Sequence, residues 1–119
     1  MPRQRIAMTP EEVTSFLARK RVAVIGTRGP DGAPDGEPAA FAWVAGEARV
    51  TVERDGAAHR NLARDPRVVC SVEEFPSYAG IKGVALHGTA TPAGEEAGGV
   101  AFRIAALRVE SFDFAKMRR

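Results

Sequence analysis

Short stretches in which apolar and polar residues alternate dominate this chain, with one helical rhythm ahead of them and another among them. The alternating stretches fall at residues 21–27, 39–44, 48–53, 67–73 and 81–91, and an apolar-rich stretch at 100–114 supplies one or two more. Residues 48–53, Ala-Arg-Val-Thr-Val-Glu, hold the clearest period of two, which turns Val50 and Val52 toward a core and Thr51 and Glu53 away from it. Ala45-Gly46-Glu47 is a tight reversal, so the strands on its two sides are antiparallel neighbours. Thr9-Pro10-Glu11-Glu12 reads as a helix start, with a threonine cap, proline at the first helical position and a glutamate able to close a capping box. Val13, Phe16 and Leu17 share one face of that helix, which ends near residues 19–21. A second short helix, capped by Asp55, covers residues 56–64 and is stopped by Pro66. Gly83 and Gly88 mark bulges or sharp coiling in their strand, and residues 92–99, rich in glycine, read as a flexible loop. The expectation is a mainly β fold: a six- to seven-stranded antiparallel barrel with a short N-terminal helix and a short helix between strands three and four.

Composition narrows this picture. At 119 residues the chain is one domain, and 45% hydrophobic with 27% charged residues is the balance of a folded globular protein. Seventeen Lys and Arg against fifteen Asp and Glu leave a net charge of +2, too small a surplus to indicate nucleic acid. The basic clusters Arg3, Arg5, Arg19, Lys20, Arg21 and Lys116, Arg118, Arg119 are read as solvation of the two ends. The single cysteine, Cys70, excludes an intramolecular disulfide and a thiolate metal cluster, and within its strand it is a small core residue. His59 and His87 are the only histidines and have no carboxylate cluster at ligand spacing, so no metal is expected. Ser15, Ser71, Ser77 and Ser111 lie in no nucleophile-elbow sequence. Neither a signal-like apolar core nor a membrane-length apolar run is present, which points to a cytoplasmic protein without a membrane partner.

Specific stretches then go beyond pattern. Val22-Ala23-Val24-Ile25-Gly26-Thr27 with Pro30-Asp31-Gly32 is followed by Pro38-Ala39-Ala40-Phe41-Ala42-Trp43 and by Arg54-Asp55-Gly56-Ala57-Ala58-His59-Arg60-Asn61-Leu62-Ala63-Arg64-Asp65-Pro66-Arg67-Val68. Residues 81–90 and 109–114 continue the order, and together they resemble the pyridoxamine 5′-phosphate oxidase-like superfamily over nearly the whole chain. The resemblance implies a split β-barrel acting as a homodimer, with FMN, or alternatively the deazaflavin coenzyme F-420, in clefts between subunits. It implies a flavin- or deazaflavin-dependent oxidoreductase that passes a hydride to or from a small organic substrate. The alternative is a non-catalytic barrel that binds or sequesters a planar cofactor such as flavin or haem.

By the same resemblance, the end of the third strand and the helix after it hold the cofactor's phosphate, and helix N-terminal N–H groups favour such an anion. Arg54 is then the forked cation and Gly56 the helix start, while Thr51 and Glu53 face the ring. Ala58 stands where the family usually places lysine, and His59 or Arg60 is available in its stead. His59 reaches the phosphate or the ribityl chain, and Asn61 contacts the cofactor or binds backbone near the barrel. Trp43 bounds the ring cleft while its face-mate Phe41 is core. Lys82 and His87 lie on a strand that the family uses at the dimer cleft, and Tyr78 shields a cofactor or caps the barrel end.

Overall fold

Alternation along the strands separates an apolar interior from a mixed exterior in the computed structural model, which describes residues 6–118. Arg3, Arg5 and Arg119 of the basic clusters lie outside the described residues. The elements are α1 (Pro10–Ala18), β1 (Val22–Arg28), β2 (Pro34–Val44), β3 (Glu47–Glu53), α2 (Ala57–Arg64), β4 (Arg67–Glu74), β5 (Lys82–Glu96) and β6 (Gly99–Asp113). Neighbouring strands are antiparallel and close into a barrel in the order β1-β2-β3-β6-β5-β4. The seam is narrow, because β1 meets β4 only at Val24, Ile25 and Gly26. The fold is therefore the expected one, mainly β, with six strands, an N-terminal helix and a helix between β3 and β4.

Inward residues of each strand form one core that includes Ile25, Phe41, Val50, Val72, Val84, Phe102 and Ile104. The capping box of α1 is complete: Glu12 N–H donates to Thr9 Oγ1 at 3.1 Å and Thr9 N–H to Glu12 Oε1 at 2.7 Å. That start directs Phe16 and Leu17 into the core, each burial contributing roughly 1.5–3 kcal/mol. Between β2 and β3 the reversal is a two-residue turn, with φ of 52° at Ala45 and 80° at Gly46, the left-handed pair that matches strand twist.

Three boundaries differ from expectation. β2 begins at Pro34 rather than residue 39, because residues 34–40 are zipped onto β1 from Arg28 back to Val22. Residues 92–99 are not a flexible loop. β5 runs on to Glu96 and β6 starts at Gly99, leaving Ala97-Gly98 as the turn, with Gly98 at φ 83°. A register shift between Pro92 and Gly94 absorbs the proline, and pairing along a long partner strand outweighs the weak strand preference of glycine. The stretch at 100–114 is accordingly one long strand rather than two. A second shift, between His87 and Gly88, is the bulge that Gly88 signalled.

Candidate functional site

The outward face of β3 carries Arg49, Thr51 and Glu53, with Ala48, Val50 and Val52 buried between them. Thr51 pairs with Ala40 of β2 on one side and Ala101 of β6 on the other, and Ala40 pairs with Val22 of β1. Nothing on this rung is larger than valine; Val22 and Ala40 are exposed and Thr51 half-buried, whereas Ala101 is covered, so the open part is a low shelf over β1, β2 and β3. Val22 and Val24 extend it as apolar surface, 63% and 52% exposed.

Where the shelf ends, the chain reverses. Asp55 takes φ 62° and is not the helix cap that its side chain suggests; Gly56 is the N-cap, with no side-chain bond. Asp55 instead uses its N–H, donated to His59 Nδ1 at 2.9 Å, which leaves Nε2 to carry the imidazole proton. The His59 ring stands edge-on to Phe102, with centroids 6.3 Å apart. Gly56 N–H donates to the Glu53 carbonyl at 3.1 Å, closing the corner.

Charged groups at this corner are engaged, one with another and two with backbone. Arg54 Nη2 lies 2.6 Å from Glu95 Oε1. Ala58 N–H, in the opening turn of α2, donates to Glu37 Oε1 at 3.2 Å. The Arg60 guanidinium donates to the carbonyl oxygen of Asp55. Beneath them Asn61, buried, donates through Nδ2 to Thr27 Oγ1 at 2.9 Å and Asp35 Oδ2 at 2.8 Å, while its Oδ1 accepts from Arg64 at 2.6 Å. The partners of Asn61 are thus side chains rather than backbone, because it points into the barrel end where β1 and β2 present a hydroxyl and a carboxylate.

Thr51, Glu53, Arg54, Gly56, His59 and Arg60 are brought together at one strand end and the helical turn after it, with Asn61 below. Trp43 and Lys82 are not. Trp43 shares the inward parity of Phe41, packs against the core and borders a hollow with Val13, Leu17, Leu86 and Ile104. Its partner Ala48 is five residues along β3 from Glu53, a separation of about 17 Å at the usual strand rise. Lys82 pairs with Glu74 and Asp113 and borders a hollow with Glu12, Phe16 and Arg19, beside α1. Tyr78 meets Phe114 edge-on at 6.3 Å. On the outer wall His87 Nε2 is 2.8 Å from Glu110 Oε1, and its Nδ1 is 3.2 Å from Arg108.

Glu37 and Glu95 escaped the sequence reading. Glu37 lies in the part of β2 that only pairing with β1 reveals, and Glu95 in the segment taken for a loop. No local pattern marks either one. Among the described residues no group of three or more His, Cys, Asp and Glu is placed to hold a metal ion. Burial pushes the Cys70 thiol up to about 12, so it remains a protonated core group at neutral pH. No helix of the described residues is long and apolar enough to cross a membrane.

A family model described as pyridoxamine 5′-phosphate oxidase matches residues 9–112. Among solved structures, a conserved hypothetical protein from Mycobacterium tuberculosis superposes with a TM-score of 0.86 at 25% identity, covering 98% of this chain and 92% of that one. An FAD-binding protein from Mesorhizobium loti gives 0.73 at 20% identity, covering 88% and 94%. A haem storage protein from Vibrio cholerae gives 0.70 at 15% identity, covering 87% and 93%. The last two likenesses are of fold alone. No curated protein matches the chain.

Proposed function

The chain belongs to the pyridoxamine 5′-phosphate oxidase family, and from that premise we propose that it is an oxidoreductase using a flavin-type cofactor laid on the β3 shelf. The observation that carries this reading is the low stretch of wall at Val22, Ala40 and Thr51, free of large side chains, beside the α2 corner. Thr51, half-buried, offers a hydroxyl to the ring edge, and Glu53 faces the same side. When bound, the cofactor supplies hydride chemistry toward a small organic substrate, and the protein contributes binding, orientation and exclusion of water.

FMN is the first candidate and the deazaflavin coenzyme F-420 the second. Both carry the ring system proposed for the shelf, but Arg54 and the Ala58 N–H, two donors a phosphate would use, are already engaged by carboxylates. A second copy of the chain is proposed to cover the apolar ground of Val22 and Val24 and so wall the cleft from the far side. Sedimentation or light scattering checks this, with a dimer as the expected result.

The direct test is the visible spectrum of the purified protein, before and after addition of FMN or the deazaflavin, followed by turnover of the reduced cofactor with quinones and enones. Uptake with turnover is expected. A protein that takes up neither refutes the enzyme reading. One that binds tightly yet oxidises nothing establishes the second reading, a barrel that sequesters a planar ligand such as flavin or haem. The observation favouring that reading is Ala58, buried at the position where the family resemblance implies a lysine.

A further inference from the structure

We infer that Glu37 and Glu95 are specificity-determining residues that fill the anion seat between β3 and α2, so that the native chain gains no affinity from a cofactor's terminal phosphate. Glu37 reaches this place from β2, where it shares the parity of Ala39 and Phe41 and stands opposite Ile25 of β1. Its Oε1 accepts the Ala58 N–H, one of the opening amides of an eight-residue helix whose N-terminus favours negative charge. A carboxylate oxygen there supplies what a phosphate oxygen would supply.

Glu95 does the same for Arg54, at 2.6 Å. Arg60, the remaining guanidinium of the corner, turns back onto the Asp55 carbonyl. The corner's donors are therefore spoken for: Arg54 by Glu95, the Ala58 N–H by Glu37 and Arg60 by the Asp55 carbonyl. A phosphate gains there only what it takes from a carboxylate, so the exchange is close to neutral. Ala58, 1% exposed, contributes no compensating cation.

The two carboxylates are unequal. The Glu95 side chain is 74% exposed, and such surface ion pairs exchange readily. Glu37 is half-buried on a paired strand and is the more persistent occupant. The corner is consequently indifferent to the phosphate that distinguishes FMN from riboflavin, and the ring shelf supplies the affinity for both.

This inference rests on the flavin reading for one probe and is independent of it for the other. Inorganic phosphate, titrated at constant ionic strength into isotopically labelled protein, is read at the Ala58 amide resonance. In the native chain that resonance stays in place, and in the Glu37→Ala, Glu95→Ala double variant it shifts saturably. The Glu37→Met, Glu95→Met pair, which keeps side-chain length but offers no oxygen acceptor, gives the same direction should the alanine pair fail to fold. By flavin fluorescence the native chain binds FMN and riboflavin within about twofold, whereas the freed corner favours FMN by about tenfold with riboflavin unchanged. A saturable phosphate shift at Ala58 in the native chain, or none in any variant, overturns the inference. Failure of both flavins to bind alongside the expected phosphate response sinks the flavin reading and supports this one.

Discussion

Asn61 Nδ2 donates to Thr27 Oγ1 at 2.9 Å, a buried side-chain bond that ties α2 to β1 across 34 positions of sequence. Both residues are buried, at 2% and 4% exposure, and Asp35 and Arg64 complete the set around the amide. Because the bond seats the helix that follows the candidate site, its loss reaches both stability and site geometry. Asn61→Leu strands the buried Thr27 hydroxyl and removes the bond to the exposed Asp35 carboxylate, and is expected to cost about 1–3 kcal/mol. Thr27→Val, which removes one acceptor while Asp35 remains, is expected to cost about 1 kcal/mol. Urea denaturation of both single variants and the double variant checks this, with a coupling energy near zero counting against the network.

Gly88 lies so close to the Ala105 carbonyl that an added Cβ would sit 1.9 Å from its oxygen. Backbone has to move to admit even alanine, and the bulge that lets β5 and β6 coil together lies at this point. Gly88→Ala is expected to destabilise by about 2 kcal/mol or more, measured as a fall in thermal midpoint. An unchanged midpoint would refute the close approach.

Ala45 occupies the first left-handed position of a type I′ turn, a place that alanine tolerates poorly. Ala45→Asn is expected to stabilise the protein by about 0.5–1 kcal/mol without disturbing the cleft. Chemical denaturation gives the sign directly.

Arg67 holds the Asp65 carboxyl at about 2, down from its ordinary 3.8, chiefly through its guanidinium, with bonds of 3.0 Å from Nε and 2.6 Å from Nη2. Lys116 lowers Glu12 and Lys20 lowers Glu74, in each case as the first cause, at the two flanks of α1. A carboxyl with its folded pKa below its unfolded one contributes stability that is complete above the unfolded value and vanishes as pH falls through the folded value. Unfolding midpoints should therefore be flat near neutrality and decline from about pH 4 toward about 2. Asp65→Asn should remove the portion at the low end of that window, and an identical acid profile in this variant would disprove its share.

With its thiol pushed up to about 12 by burial, Cys70 is expected to resist a disulfide-exchange reagent at mildly alkaline pH until the protein unfolds. Rapid labelling of the native protein would contradict its place in the core.

The sequence by itself determined which residues of β3 face inward, where α1 starts and where β2 turns into β3, since each depends on neighbours a few positions apart. Thr9 with Glu12 announces a capping box, Ala48 to Glu53 alternates at the strand period, and Gly88 signals a bulge, and all three recur in the fold. It also brought Thr51, Glu53, Arg54, Gly56, His59 and Arg60 to one corner, because they are contiguous or nearly so. Tertiary structure alone decided what meets that corner. Glu37 arrives there through the β1 ladder and Glu95 through the β6 ladder, contacts whose energy lies in long-range strand pairing that no local window contains. The same long-range pairing turned residues 92–99 from loop into strand, and barrel closure placed Trp43 on the inner wall, away from the shelf.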